Sequence, residues 1–326
     1  DMNSDVDKLL FEEITEKSIT LIKNDNDILP LKDISSKIAF LEMGGSNSDE
    51  FFKMLNHYTK VDKIEYDSEI LRKIEPYNTV IVGFHKSNKS PFDPYKFSKS
   101  DKEILELISK NKKVILNVFA KPYALMDVDM TNISSIIVSY QNNSTAQNKS
   151  AQIIFGALPA VGKLPVSINN KYPVHTSIKT TTLDRLSYGL PSNIIFDLDK
   201  LNSIDLFVED AIENKMTPGA QVLIAKNGKV IFNKNYGYKT YNKTEPIDWD
   251  NIYDLASLTK ILSSVPLLMN EYENNTIDEE STLFDIIPDL NLRDKSNLLL
   301  KEMLAHQSGL YPWIPFYKET LDSINH

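Results

Sequence analysis

Asp254 to Ile261 reads DLASLTKI, which places a serine three residues before a lysine at the start of an apolar helical run. On a helix, Ser257 and Lys260 share one face. A serine hydroxyl is a poor nucleophile until a neighbouring group takes its proton. A lysine can take that proton only in its neutral form, which requires desolvation or nearby positive charge. A helix N-terminus assists twice, because its free N–H groups can bind a developing oxyanion and its dipole disfavours an ammonium. Ala256 leaves room for a substrate to approach the backbone. The chemistry indicated is acyl transfer through Ser257, with Lys260 as its activating partner. The competing reading is a helix-capping serine beside a surface lysine.

The pattern is short enough to recur by chance. Ser109 to Lys112 also fits Ser-x-x-Lys, and there it ends a helix before a strand. Other constellations are excluded more easily. There are no cysteines, which removes disulfides, thiolate nucleophiles and Cys-ligated metals. The five histidines are scattered and none forms His-x-x-x-His, so no metal and no cofactor is expected. A formal charge of -9 without a long basic block argues against nucleic-acid binding. Gly44-Gly45 lacks the further glycines or Gly-Lys-Ser/Thr that phosphate binding requires. No apolar run approaches membrane-spanning length and no signal-peptide pattern is visible. The chain begins at Asp1 rather than Met, as a processed product or fragment would.

The elements that must position these residues come from periodicity. Val6, Leu10 and Ile14 predict an amphipathic opening helix. Runs at 37–43, 79–84, 113–119 and 135–140 are of strand length and rich in Val and Ile. Between the second and third, Ser100 with Glu103 reads as a capping box for a helix whose Ile104, Leu107 and Ile108 share a face. Continuously apolar strands separated by helices predict an α/β domain with a doubly wound, mainly parallel sheet over 1–175. A turn-rich connection occupies 176–199. A helix near 200–214 and a hairpin around Lys226-Asn227-Gly228 then open an α+β domain over 200–326.

Order adds what spacing cannot. The hairpin, then NIYDLASLTKIL, then LLLKEMLAHQSGLYPW together resemble the serine β-lactamase-related family of class C β-lactamases, penicillin-binding esterases and D-amino-acid peptidases. The resemblance implies that Ser257 is the acylated nucleophile, that Lys260 activates it, and that His306 is a turn element rather than a base. That family also carries a Tyr-x-Asn motif and a late Lys- or His-x-Gly strand. Tyr272-Glu273-Asn274 matches the first in letters, but it falls near the end of Ser257's own helix and cannot form a separate pocket wall. Nothing else after Lys260 fits either motif, and Pro266 is expected to kink or end the helix. The chain by itself is expected to be inactive or very weak.

EKSITLIKNDNDILPL (16–31), VILNVFAKPYAL (114–125), SIIVSYQNN (135–143) and AQIIFGALPAVGKLPVSI (151–168) resemble, in that order, the C-terminal domain of glycoside hydrolase family 3. The resemblance implies a parent protein with a catalytic barrel, the sheet domain and then the serine hydrolase domain, as in Bacteroidetes-type β-N-acetylglucosaminidase fusions. Gly162 to Pro165 is then a structural turn into an edge strand. His85-Lys86 fits a surface loop. Asp127 and Asp129 are solvated loop acids rather than the carboxylate pair of a glycosidase. The implied function is part of a bifunctional cell-wall hydrolase acting on carbohydrate or peptidoglycan-derived substrate, in the periplasm or at the cell surface. The alternative is a non-catalytic scaffold whose β-lactamase-like module binds peptidoglycan.

Overall fold

In the computed structural model, which describes residues 4–190, 198–289 and 295–320, the chain divides at Trp249/Asp250 into two compact units. The first opens with α1 (Asp5–Ser18), started by a capping box in which Ser4 and Asp7 satisfy each other's backbone N–H groups. There follow β1 (Thr20–Asn24), β2 (Ile38–Met43), α2 (Asp49–Asn56), β3 (Val61–Ile64), α3 (Ile70–Ile74) and β4 (Thr79–His85). Then come α4 (Lys99–Ser109), β5 (Lys113–Phe119), β6 (Ser135–Val138) and α5 (Ser144–Ile154).

These strands form one sheet in the order β1-β6-β5-β4-β2-β3. β2 to β6 are parallel, and β1 lies antiparallel on β6. The expected mainly parallel, doubly wound sheet is present, with the four predicted runs as β2, β4, β5 and β6. β1 and β3 are additional edge strands whose apolar pattern is broken by charges. In β1 the ammonium of Lys23 is buried, and it is satisfied by the carbonyl oxygens of Met130 and Thr131, both at 2.8 Å, and by Asp25 at 3.0 Å.

The sheet is covered on both faces. Val80, Val82 and Phe84 of β4 point to a cluster completed by Ile70 and Ile74 of α3 and Leu105 and Ile108 of α4. Ile81 faces the opposite cluster, with Phe51 and Leu55 of α2 and Ile153 and Ile154 of α5. Each such side chain contributes about 1.5–3 kcal/mol by leaving water. The cap of α4 is Ser98 with Asp101, two residues before the expected Ser100 and one helical position where Asp replaces Glu. Leu107 stays exposed and Leu105 is buried instead. The segment from Gly162 is not a strand. Gly162 N–H donates to the carbonyl of Ile19, and a Cβ at Gly162 would lie 2.3 Å from the Ser18 carbonyl oxygen. That close approach, rather than sheet pairing, is what the glycine permits, and Pro165 further on has no N–H to extend a ladder.

α1 forms as predicted, but Val6, Leu10 and Ile14 are 53%, 52% and 58% exposed. The helix is held by its other face. Glu12 and Glu16 each lie 3.3 Å from the Nζ of Lys149, a fully buried α5 side chain that also donates to the carbonyl of Tyr188. Glu12 accepts the N–H of Leu190 as well. The segment read as a connection is therefore tied down on the sheet domain. Arg185 donates to the carbonyls of Leu31, Lys32 and Phe155.

Beyond it lie β7 (Ser187–Tyr188), α6 (Leu198–Glu213), β8 (Gly219–Lys226) and β9 (Lys229–Gly237). β8 and β9 are the expected hairpin, turned by Asn227 and Gly228 at φ 52° and 74°. β7 adds a parallel strand to β9. Lys234 Nζ and the Tyr236 hydroxyl both donate to Asp205 of α6 at 2.6 Å, above an apolar contact of Leu201, Phe232 and Tyr236. Among the described residues no helix is long and apolar enough to cross a membrane.

His85 does not lie on a surface loop. It is the last residue of β4 and fully buried, because β4 is flanked by β2 and β5 and its end is roofed by aromatic side chains. Its ring stacks on Phe119 at 4.3 Å. Asn142 gives its amide N–H to the Asn47 carbonyl and receives Gln147 Nε2 on Oδ1, so the same Oδ1 accepts from His85 Nδ1 at 2.9 Å. Nε2 is left as a lone pair without a hydrogen-bond partner among the described residues. It packs over Gly83, where a Cβ would sit 2.4 Å away. Burial holds the imidazole down at about 4 from its ordinary 6.5.

Two outcomes follow. Between pH 6.5 and about 4 the unfolded chain binds a proton at His85 that the folded protein does not, so stability falls on acidification through that window. Urea unfolding across pH should show a loss of about 3 kcal/mol from this residue, and His85→Gln should remove that part of the slope. Lys149→Met leaves two glutamates facing each other and should cost about 2 kcal/mol, less than a fully buried pair because both glutamates keep some solvent contact. Adding Glu12→Gln and Glu16→Gln should recover most of it in the same urea titration.

Candidate active site

The second unit carries the Ser-x-x-Lys segment. Its geometry begins with Ala256 at φ 44°, a left-handed conformation unusual for alanine. The carboxylate of Asp254 accepts the Ala256 N–H at 2.7 Å, closing an Asx turn. A tight first helical turn follows, in which Leu258, Thr259 and Lys260 N–H groups donate to the carbonyls of Leu255, Ala256 and Ser257 at 2.9, 3.1 and 3.1 Å. Lys260–Ser264 is then π-helical, with the Val265 N–H reaching back to the Lys260 carbonyl.

This wide turn lies directly before Pro266. Of the two expectations for Pro266, a kink or an end, the helix does not end; Pro266 sits in the first turn of α7 (Val265–Glu273), directly after the irregular turn. A proline lacks the N–H for an α-type bond and its ring crowds the preceding turn, and the π turn absorbs both defects.

Within this turn, Lys260 Nζ donates to Ser257 Oγ at 2.9 Å. The separation is also within reach for the reverse transfer, hydroxyl proton to a neutral amine. The decoy differs sharply. Ser109 Oγ donates to the Glu106 carbonyl, while Lys112 Nζ donates to the carbonyls of Glu75 and Tyr77. Both Ser257 and Lys260 are exposed, and no described residue from 250 onward is buried. An apolar groove of about 300 Å³, lined in part by Val265, Met269, Tyr272, Leu300 and Leu304, also stays open. The nucleophile pair is assembled locally, and among the described residues from 250 onward none supplies a wall that desolvates it.

The remaining motif residues behave as spacing suggests. Tyr272 lies in the last turn of α7 and Asn274 is its C-cap, so both belong to the nucleophile's own helical stretch. His306 adopts φ 58° just beyond α9 (Leu300–Leu304), where its N–H and that of Gln307 bond to the carbonyls of Met303 and Glu302. It is a helix-terminating turn. A further short helix, α8 (Leu283–Ile286), is capped by Thr282 and Asp285. In the first unit, Asp127 pairs with Lys96 at 3.2 Å and Asp129 accepts from Thr131, both at the surface. Asp254 was not singled out by sequence; an Asx residue two positions before the residue preceding a nucleophile was the available signal.

Comparison with known proteins finds two family models along the chain. The family model described as glycosyl hydrolase family 3 C-terminal domain matches residues 19–198, and that described as beta-lactamase matches residues 207–323. Protein flp of Staphylococcus aureus (strain NCTC 8325 / PS 47) is 29% identical over 115 residues, which cover 34% of this chain and 23% of flp. The chain thus matches less than a quarter of that relative's length. Among solved structures, the beta-glucoside phosphorylase BglX aligns over 51% of this chain and 32% of its own, at 20% identity and a TM-score of 0.43. A glycoside hydrolase family 3 beta-N-acetylglucosaminidase from Paenibacillus sp. str. FPU-7 aligns over 51% of this chain and 33% of its own, at 18% identity and a TM-score of 0.40. With its sheet domain matched over more than half the chain and a β-lactamase segment following it, this chain belongs to the glycosyl hydrolase family 3 C-terminal domain family.

Proposed function

We propose that this chain is part of a bifunctional hydrolase whose second half acylates on Ser257, with Lys260 taking the hydroxyl proton. The carrying observation is the 2.9 Å contact between Lys260 Nζ and Ser257 Oγ at a helix start. Ser257 Oγ adds to a substrate carbonyl as its proton passes to the neutral amine. The tetrahedral adduct then expels its leaving group, which receives that proton, and water cleaves the acyl-enzyme. The family 3 sheet domain supports a glycosidase as the other half. Its proposed substrate is β-linked N-acetylhexosamine of the cell wall, because peptidoglycan offers both glycosidic and acyl bonds, and the proposed location is periplasmic or at the cell surface.

A second reading rests on a specific observation. Ser257 and Lys260 are both exposed, which favours a module that binds cell-wall peptide without turnover.

The full natural protein should become labelled at Ser257 by a fluorescent penicillin, located by peptide mass spectrometry, and Ser257→Ala should abolish the label. Lys260→Ala should slow labelling about a hundredfold or more. Lys260→Arg should not restore it, since guanidinium keeps the charge but cannot act as a base. Labelling that survives Ser257→Ala sinks the assignment, and saturable peptide binding without labelling favours the second reading. Separately, the full protein should hydrolyse a chromogenic N-acetyl-β-glucosaminide at a rate that Ser257→Ala leaves unchanged; an inert sugar substrate would remove the proposed specificity.

A further inference from the structure

We infer that Asp254 is a positioning residue for the nucleophile, an assignment that rests on the acyl-transfer reading above. Ala256 is the only alanine among the described non-glycine residues with positive φ. The left-handed region crowds Cβ against the backbone, and asparagine or aspartate tolerates it better because a short polar side chain can bond locally. Alanine has no such side chain, so the conformation at φ 44° must be held from outside.

The Asp254 carboxylate does this by accepting the Ala256 N–H at 2.7 Å. The consequence reaches Ser257 through two bonds. The Ala256 carbonyl accepts the Thr259 N–H at 3.1 Å, and the Ser257 carbonyl accepts the Lys260 N–H at 3.1 Å. Rotating Ala256 toward negative φ swings its carbonyl out of the first bond and loosens the turn carrying the second. The Ser257 hydroxyl then moves relative to the amine now 2.9 Å away. Asp254 touches neither reacting group by the bond described; it acts through the backbone of Ala256.

The measurement is the rate of acylation of Ser257 by a fluorescent penicillin, resolved into the maximal rate and the apparent affinity, on the full natural protein. Asp254→Ala should lower the maximal rate about tenfold, equivalent to about 1.4 kcal/mol, with apparent affinity unchanged. Asp254→Asn retains the acceptor oxygen and should label within about twofold of the parent. Asp254→Ala combined with Ala256→Gly should recover most of the rate, because glycine adopts positive φ unaided. A general loss of folding would not be rescued in this way.

Parental labelling in Asp254→Ala overturns the assignment, as does a double variant that stays slow. If Asp254→Ala fails to fold, Asp254→Asn decides: a slow rate at unaltered melting temperature overturns the hydrogen-bond role. An unlabelled parent overturns the acyl-transfer reading and this assignment with it, whereas a labelled parent with an indifferent Asp254 overturns this assignment alone.

Discussion

A parallel strand that is apolar on both sides has to be roofed twice, and most of the first unit follows from that requirement. All seven residues of β4 are buried. α3 and α4 close one face and α2 and α5 close the other. The same two-sided burial explains why the buried lysines of this unit are paired. Lys23 and Lys149 each reach a backbone carbonyl and a carboxylate, because an unpartnered charge at these depths would cost more than the fold could offset, and the half-buried Arg185 reaches three carbonyls. These polar ties are long-range. Lys149 joins α1, α5 and β7, and Arg185 joins the segment before β7 to residues near β1 and α5.

Through β7 the hairpin becomes part of the first unit, since β7 pairs with β9 and Tyr188 stacks on His57 at 4.9 Å. The stretch matching the β-lactamase family model therefore straddles the division at Trp249/Asp250, with α6, β8 and β9 on one side of it and Ser257 on the other. The second unit differs in kind. None of its described residues is buried, and its short helices carry caps and turns together with a few longer backbone bonds, such as that from the Leu300 N–H to the Ser281 carbonyl.

That difference separates two requirements of serine–lysine chemistry. Bringing Nζ to the hydroxyl is a local task, met by contacts two or three residues apart between Asp254 and Lys260. Making a lysine a base is not local, because it requires walls that exclude water. The nucleophile turn meets the first requirement by itself.

The sequence by itself determined the elements whose information is local: the β2, β4, β5 and β6 runs, the Asn-Gly hairpin and the shared face of Ser257 and Lys260. Periodicity of side chains and turn chemistry depend on neighbours a few residues away, so they can be seen in one dimension. Only the tertiary structure decided that His85 is buried rather than on a loop, that α1 presents Val6, Leu10 and Ile14 outward, and that Lys149 is a core residue. Each of those depends on partners far along the chain, Phe119 and Asn142 for His85 and Glu12 and Glu16 for Lys149. The π turn before Pro266 belongs with them. A proline announces a defect in the helix, but how the backbone accommodates it depends on the geometry of the whole turn.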